Sequence, residues 1–232
     1  MRIHYLQHVS FEDLANMESW AASRGHTLSR TRLFSGERLP DLSSFDWLVI
    51  MGGPMNIYQE DRYAWLAEEK EFIGKAISVD KIVLGVCLGA QLISSVLGGR
   101  VTKNRYNEIG WFQVRLTEEG RASSVFSVLP DIFVALHWHG DTFSIPPGAT
   151  RVAESDACPN QAFILGKAIG LQFHLETSPE SMKRLIHHCG DELTQGPYVQ
   201  KPEELAAGQD SFDGLQWLMV RFLDRIERDS GP

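Results

Sequence analysis

Residues 82–97 constrain the fold of this chain more than any other stretch. The apolar run Ile82–Val86 is typical of a short strand that is buried on both faces of a sheet. Residues 90–97 are consistent with one short helix, and Gly98 and Gly99 would end it. The stretch therefore predicts a strand, a sharp turn and a helix in direct succession.

Cys87 lies in the predicted turn, between Gly85 and Gly89. Gly-x-Cys-x-Gly is the thiol counterpart of the Gly-x-Ser-x-Gly nucleophile elbow, in which a strained turn presents the nucleophile above the sheet. The N-terminus of the following helix favours a thiolate there. A lone cysteine is more often a small core residue. The flanking glycines, the strand and the helix together favour a nucleophile instead.

Composition restricts the compartment and the partners. The net charge of −8 argues against nucleic acid as a general partner, because phosphate binding needs a basic surface. Three cysteines, an odd number, do not predict a disulfide framework and fit a reducing compartment. The sequence contains no long apolar signal region and no apolar run near the roughly 18 residues that span a bilayer. We therefore expect a cytoplasmic protein without membrane contact, and we assign it no cofactor.

The first half of the chain alternates between strand and helix patterns. Strands are predicted at residues 1–7, 27–34, 45–51 and 82–86. Helices are predicted from a capping box at residues 10–13 to near Gly25, and at residues 63–79, which carry apolar side chains at helical spacing. This alternation predicts an α/β fold with an open, mainly parallel central sheet and helices on both faces.

The second half has a different pattern. Short strands separated by turn residues are predicted at residues 109–116, 132–136, 150–153, 162–165 and 168–173. They favour a mixed or antiparallel extension of the sheet. Helices are predicted to start at Thr177 and to cover residues 203–207 and 215–226. We expect one domain over residues 1–232, with a core of about 1–190 and a C-terminal helical extension of about 191–232.

A thiolate nucleophile needs a base, and His174 is the best candidate. It ends an apolar strand, so it should leave the sheet at the same edge as Cys87. Glu176 follows two residues later, and alternate residues of an extended chain lie on one face, so its carboxylate can orient the imidazole. A single histidine at a strand end is more often structural, but these neighbours favour a Cys-His-Glu triad.

An acyl-transfer site also needs donors for the oxyanion. The backbone N–H of Leu88, directly after the nucleophile, is one candidate. The other is an N–H of the turn Gly52-Gly53-Pro54, which ends the preceding strand and lets the backbone approach a ligand closely. Taken alone, these three residues predict only a turn, and by composition a flexible one.

With these motifs in order, the chain resembles the class I, triad-type glutamine amidotransferases. The matching segments are residues 52–54, 85–91, 137–141 and 172–176. The most similar branch is the stand-alone set that resembles the glutaminase domain of GMP synthase. The resemblance implies the flavodoxin-like fold of that family and release of ammonia from L-glutamine.

The resemblance also implies roles for individual residues. Cys87 would attack the glutamine side-chain amide and form a γ-glutamyl thioester. His174 would protonate the departing ammonia and then activate water, with Glu176 orienting the ring. Gly53 and Leu88 would supply the oxyanion donors.

The rest of the family pattern would hold the substrate. Gln91 would contact the bound glutamine, and Trp138, Gly140 and Asp141 would hold its α-amino and α-carboxylate ends, largely by backbone. The family usually has proline between the histidine and the glutamate, where this chain has Leu175. Leucine allows the same alternate-residue geometry, so the triad assignment is kept.

Metal chemistry is a further candidate. His137 and His139 lie on one face of a predicted strand, a spacing that can bind a metal. The sequence offers no evident third ligand, and the segment already has a place in the glutamine pocket. We therefore assign no metal.

Three functions remain to be separated. The first is glutamine amide hydrolysis that supplies ammonia to a partner synthase subunit, because too few residues follow the predicted core for a synthase domain. The second is a γ-glutamyl peptidase acting on glutathione-like compounds, which needs the same triad. The third is a non-enzymatic redox sensor or binding protein with an elbow cysteine, against which His174, Glu176 and Gln91 argue.

Overall fold

The computed structural model of the chain describes residues 1–206 and 209–229. The strands in these residues are β1 Arg2–Gln7, β2 Thr27–Arg32, β3 Trp47–Ile50, β4 Ile82–Val86, β5 Val101–Leu116, β6 Ile132–Phe143, β7 Thr150–Glu154, β8 Ala162–Leu165 and β9 Ala168–Leu171. The α-helices are α1 Asn16–Ser23, α2 Trp65–Ser78, α3 Leu88–Val96, α4 Glu118–Ala122, α5 Pro179–Cys189, α6 Pro202–Ala206 and α7 Gln209–Asp229. Within this part of the chain, no helix combines the length and the apolar character needed to cross a bilayer.

The strands form one sheet in the order β2-β1-β3-β4-β9-β8-β7-β5-β6. The first five strands of this order run parallel to one another. The strands from β9 to β6 pair antiparallel. The predicted α/β fold, with a mainly parallel centre and an antiparallel extension, is therefore confirmed. Because β1, β3, β4 and β9 point the same way, the segments that follow them meet at one edge of the sheet.

Helices cover both faces of the parallel half of the sheet, because strands such as β3 carry apolar side chains on both faces. The side chains of β3 alternate between faces, as they must in a strand. Leu48 and Ile50 join a cluster with Phe72 of α2 and Leu92 of α3. Trp47 belongs to a cluster on the other face, which includes α1 and α7. A strand that is buried on both faces stays apolar throughout, as the sequence of β3 does.

The antiparallel hairpin of β5 and β6 is longer than the sequence predicts. Strands were expected at residues 109–116 and 132–136, whereas β5 begins at Val101 and β6 continues to Phe143. The pairing register shifts between Lys103 and Glu108. The first half of β5 is polar and lacks apolar alternation, which is why the pattern hid it. The extension of β6 makes the segment around Trp138 part of a strand.

One predicted helix start is wrong, and the cap of a second is placed one residue too early. The capping box at residues 10–13 does not open a helix, because α1 begins at Asn16 after Ala15, which has φ 43° and no side-chain cap. The carboxylate of Asp13 accepts a hydrogen bond from the Ala15 N–H and pairs with Arg184 of α5. Similarly, α5 is capped by Ser178 and Ser181 rather than by Thr177. Competing hydroxyl and carboxylate groups one or two residues apart make such starts hard to choose from sequence.

The C-terminal helices pack back onto the body of the protein. The helix predicted at 203–207 is α6, although Ala207 lies outside the described residues. The helix predicted at 215–226 is the longer α7. Its Phe222 and Leu223 belong to the same hydrophobic cluster as Trp47 of β3. The Trp20 indole N–H of α1 donates to Asp224 of α7 over 2.8 Å. The description of residues 1–232 as a single domain stays a prediction.

Candidate active site

The predicted strand, turn and helix around Cys87 are present. β4 ends at Val86, Cys87 has φ 50° and ψ −106°, and α3 begins at Leu88. A positive φ is uncommon for a residue with a side chain. The Cys87 N–H donates to the Leu171 carbonyl of β9 over 2.7 Å and so anchors the turn. The sulfur therefore lies at the N-terminus of α3, where the helix dipole favours an anion.

Gly89 lets α3 lie close against β3. A Cβ at Gly89 would overlap the carbonyl oxygen of Ile50, which is backbone and has little freedom to move. We expect Gly89→Ala to lower the free energy of unfolding by about 2–4 kcal/mol, because either the helix or the strand must shift. Urea unfolding measures this change.

The control for this prediction is Gly214→Ala on α7. A Cβ at Gly214 has nothing within 4 Å. Alanine there should raise the free energy of unfolding by up to about 1 kcal/mol, because it is the better helix former. Equal destabilisation by the two substitutions would contradict the packing argument.

His174 and Glu176 follow β9, beside Cys87. β4 and β9 are parallel neighbours with Val86 opposite Leu171, so the residues after both strands meet. The His174 Nδ1 donates to Glu176 Oε1 over 2.6 Å, and both side chains are buried. The contact that the sequence predicts between alternate residues is present.

The electrostatics of His174 favour its protonated form. Burial works to lower the pKa of His174, but the Glu176 carboxylate and the nearby Cys87 sulfur outweigh it and hold this pKa well above the usual value. The other ring nitrogen, Nε2, is buried and has no hydrogen-bond partner among the described residues. His174 and Cys87 line the same cavity. The imidazole is therefore available to exchange a proton with a group held there.

The cavity has a volume of about 330 Å³, within the usual range for small-molecule sites. Its lining includes Cys87, His174 and all the predicted substrate-binding residues, which are Gly53, Leu88, Gln91, Trp138, Gly140 and Asp141. Glu176 lies behind His174 and lines a smaller adjoining pocket. The residues that the sequence singled out, from four separate segments, are thus brought together at one sheet edge.

Two buried amides connect Cys87 to β6. The Gln91 Nε2 donates to the Asp141 carbonyl over 3.4 Å and to Gln172 Oε1 over 3.2 Å. This fixes the orientation of the Gln172 amide, whose NH₂ group then faces the Cys87 sulfur at 3.6 Å. The thiol itself donates to the Trp138 carbonyl at 3.6 Å. No sequence pattern predicts this contact between Gln172 and Cys87.

The turn that contains Gly53 is held more firmly than its composition predicts. The Gly52 carbonyl accepts a hydrogen bond from His8 Nδ1 over 3.0 Å, and the opposite ring nitrogen of His8 contacts Glu69. The expectation of a free, flexible turn is therefore corrected. The anchoring residue comes from the end of a different strand, so no local pattern reveals it.

A third potential metal ligand lies beside the histidine pair. Glu108 of β5 is opposite His139 in the hairpin, with Oε2 at 3.0 Å from His139 Nε2 and 3.4 Å from His137 Nδ1. Gln161 donates to the same oxygen over 2.7 Å. Burial raises the pKa of Glu108, but the two histidines outweigh burial and hold it well below the usual range. These contacts are those of a hydrogen-bonded carboxylate, and the assignment of no metal stays a prediction.

Two acidic residues that the sequence did not single out also line the cavity. Glu12, expected in a helix cap, lies near His174, and burial raises the pKa of Glu12 to about 7. Glu192, directly after α5, accepts a hydrogen bond from the Trp138 indole over 3.0 Å. Both come from loops or helix ends without periodicity, so only the folded arrangement reveals them.

Comparisons with known proteins agree with the family that the motifs indicate. The family model for class-I glutamine amidotransferases matches residues 21–190. The glutamine amidotransferase-like protein YfeJ of Salmonella typhimurium is 34% identical, over 97% of each chain. The GMP synthase of Bacillus subtilis is 36% identical over 132 residues, which cover 56% of this chain but only 24% of that enzyme. The chain therefore matches about a quarter of the length of such synthases.

Solved structures agree with the described fold. A glutamine amidotransferase from Thermotoga maritima superposes with a TM-score of 0.89 at 34% identity, covering 97% of each chain. A glutamine amidotransferase from Methylobacillus flagellatus has a TM-score of 0.91 at 26% identity, covering 98% of this chain and 94% of its own.

Proposed function

This chain belongs to the class-I glutamine amidotransferase family, and we propose that it hydrolyses the side-chain amide of L-glutamine through a γ-glutamyl thioester on Cys87. One observation carries the proposal. Cys87 lies on a strained turn at a helix N-terminus and lines one cavity with His174, whose ring is held by Glu176 at 2.6 Å. These observations support Cys87 as nucleophile, His174 as base and Glu176 as orienting carboxylate, the three roles that acyl transfer requires.

In the proposed reaction the Cys87 sulfur attacks the amide carbon. A C–S bond forms while the carbonyl π pair moves to oxygen, where the N–H groups of Gly53 and Leu88 stabilise it. His174 donates a proton to the amide nitrogen, the C–N bond breaks and ammonia leaves. His174 then takes a proton from water, the resulting hydroxide attacks the thioester, and the C–S bond breaks to release glutamate and thiolate.

The proposed substrate pocket uses the end of β6. Trp138, Gly140 and Asp141 line the cavity together with Cys87, and their backbone groups are proposed to hold the α-amino and α-carboxylate ends of glutamine. Gln91 borders the same space. The matching part of GMP synthase belongs to an enzyme that hydrolyses glutamine, and we propose that ammonia from this site passes to a synthase subunit in the cytoplasm.

A second candidate is hydrolysis of γ-glutamyl peptides. The acyl half of that substrate is identical, and only the leaving amine is larger. The extent of the cavity favours this candidate, because its lining continues past His174 to Leu185, Cys189, Glu192 and Thr194. Ammonia alone would not need this additional space.

The test compares L-glutamine with γ-glutamyl dipeptides as substrates of the purified chain, with the Cys87→Ala protein as blank. We expect glutamate release from both and equimolar ammonia from glutamine. Fast hydrolysis of the peptides with slow hydrolysis of glutamine would replace the amidotransferase proposal by the peptidase. Absence of turnover on every γ-glutamyl compound, with no labelling of Cys87 by a glutamine-analogue electrophile, would contradict both.

A further inference from the structure

A buried ion pair lies directly behind the Gly52–Gly53 peptide. β1 and β3 are parallel neighbours with Leu6 opposite Ile50. Two residues further on, His8 comes opposite Gly52 at the edge where the active site forms. Its Nδ1 lies 3.0 Å from the Gly52 carbonyl, and its Nε2 lies 2.8 Å from Glu69 Oε1 of α2.

The contacts of His8 define its protonation. A carbonyl oxygen and a carboxylate oxygen are both acceptors, so both ring nitrogens of His8 must carry protons. Burial works to lower the pKa of His8, but Glu69 and the Gly52 carbonyl outweigh it and raise this pKa. The side chains of His8 and Glu69 are completely buried. A buried imidazolium that is paired in this way has little freedom to turn.

The partner of His8 belongs to the peptide that the oxyanion hole needs. The Gly52 carbonyl and the Gly53 N–H are the two ends of one peptide unit, and in a trans peptide they point in opposite directions. With the carbonyl held by His8, the N–H is directed away from it. Gly53 lines the cavity beside Cys87 and Leu88.

We propose that the His8–Glu69 pair is a positioning device for the oxyanion hole, which holds the Gly52–Gly53 peptide with the Gly53 N–H directed into the cavity. A flip of this peptide would break the bond to His8 and leave a buried imidazolium without its acceptor, which is costly. The oxyanion donor is therefore set before any substrate or partner binds. The inference rests on the proposed function, because such a donor matters only when Cys87 attacks a carbonyl.

The test compares two reactions of Cys87, of which only one passes through a tetrahedral oxyanion. Acetylation by p-nitrophenyl acetate passes through a tetrahedral oxyanion before p-nitrophenolate leaves. Alkylation by iodoacetamide displaces iodide at a saturated carbon and builds no oxyanion. Both rates are measured against the Cys87→Ala protein as blank.

The main variant is His8→Leu with Glu69→Met, which removes the whole pair and leaves no buried charge unpaired. We expect its acetylation to slow by about tenfold to a hundredfold. The loss is not larger because the Gly53 N–H is still present and only loses its fixed orientation. Alkylation should stay within about twofold of the natural protein. Should this variant not fold, His8→Phe with Glu69→Gln provides the same comparison.

Two matched proteins complete the design. His8→Asn with Glu69→Gln keeps a neutral donor toward the Gly52 carbonyl, and its acetylation rate should stay near that of the natural protein. His4→Asn is the control for losing a buried histidine of β1, because the His4 ring hydrogen-bonds to the hydroxyls of Ser29 and Thr31 and stacks on Phe45. It should change neither rate.

The outcomes separate the two proposals. The positioning role is wrong if Cys87 is acetylated as fast in the variant His8→Leu with Glu69→Met as in the natural protein. It is also wrong if the acetylation and alkylation rates of this variant fall in equal proportion. A further outcome is that the natural protein hydrolyses no γ-glutamyl compound, while loss of the His8–Glu69 pair slows acetylation of Cys87 but not its alkylation. In that case the proposed function fails and the positioning role stands.

Discussion

Replacing Cys87 by alanine is expected to lower glutamine turnover by at least about 10⁴-fold and to remove all labelling by a glutamine-analogue electrophile. Removal of a nucleophile that acts with a base costs this much or more in comparable hydrolases. The reason here is geometric, because no other sulfur lies on a strained turn at the N-terminus of a helix in the described residues. Ammonia release and mass spectrometry of the labelled protein measure the two effects.

The other two cysteines are the controls. Burial raises the pKa of Cys189 to about 12, and burial also raises the pKa of Cys158. Both thiols therefore stay protonated at neutral pH and are poor nucleophiles. Cys189→Ala is the sharper control, because Cys189 lines the same cavity as Cys87. Labelling at Cys189 or Cys158 instead of Cys87 would contradict the assignment of Cys87 as the nucleophile.

The sequence predicts the elbow and the contact between His174 and Glu176 well because both are local. Gly85, Cys87 and Gly89 lie within five residues, and the patterns of apolar residues on either side predict the adjoining strand and helix. The contact between His174 and Glu176 follows from the alternation of an extended chain. Such features need no knowledge of which strands are neighbours.

The supporting contacts depend on strand order, which no local pattern contains. His8 reaches Gly52 because β1 lies beside β3, and Glu108 reaches His139 because β5 pairs with β6. Gln172 meets Cys87 because β9 is inserted next to β4. Each contact joins residues more than thirty positions apart, so it appears only once the sheet is assembled.

Glu176→Gln is expected to lower turnover by about 10³–10⁴-fold while leaving the fold intact. The amide is isosteric with the carboxylate but does not compensate an imidazolium, and the analogous change in a serine protease triad costs about 10⁴-fold. The expected cause is the loss of the 2.6 Å contact between charged partners, which orients His174 and supports its protonated form. Steady-state kinetics measure this effect.

The same substitution should change the pH dependence of stability in a defined direction. The folded-state pKa of His174 is raised above its ordinary value of 6.5. A raised pKa contributes stability that is fully present below the unfolded value and is lost as pH rises through the folded value. The difference in unfolding free energy between the natural protein and Glu176→Gln should therefore be larger near pH 6 than at alkaline pH. Glu180→Gln, an exposed change at the start of α5, is the matched control and should show no such trend. A pH-independent difference for Glu176→Gln would mean that Glu176 does not stabilise the imidazolium of His174.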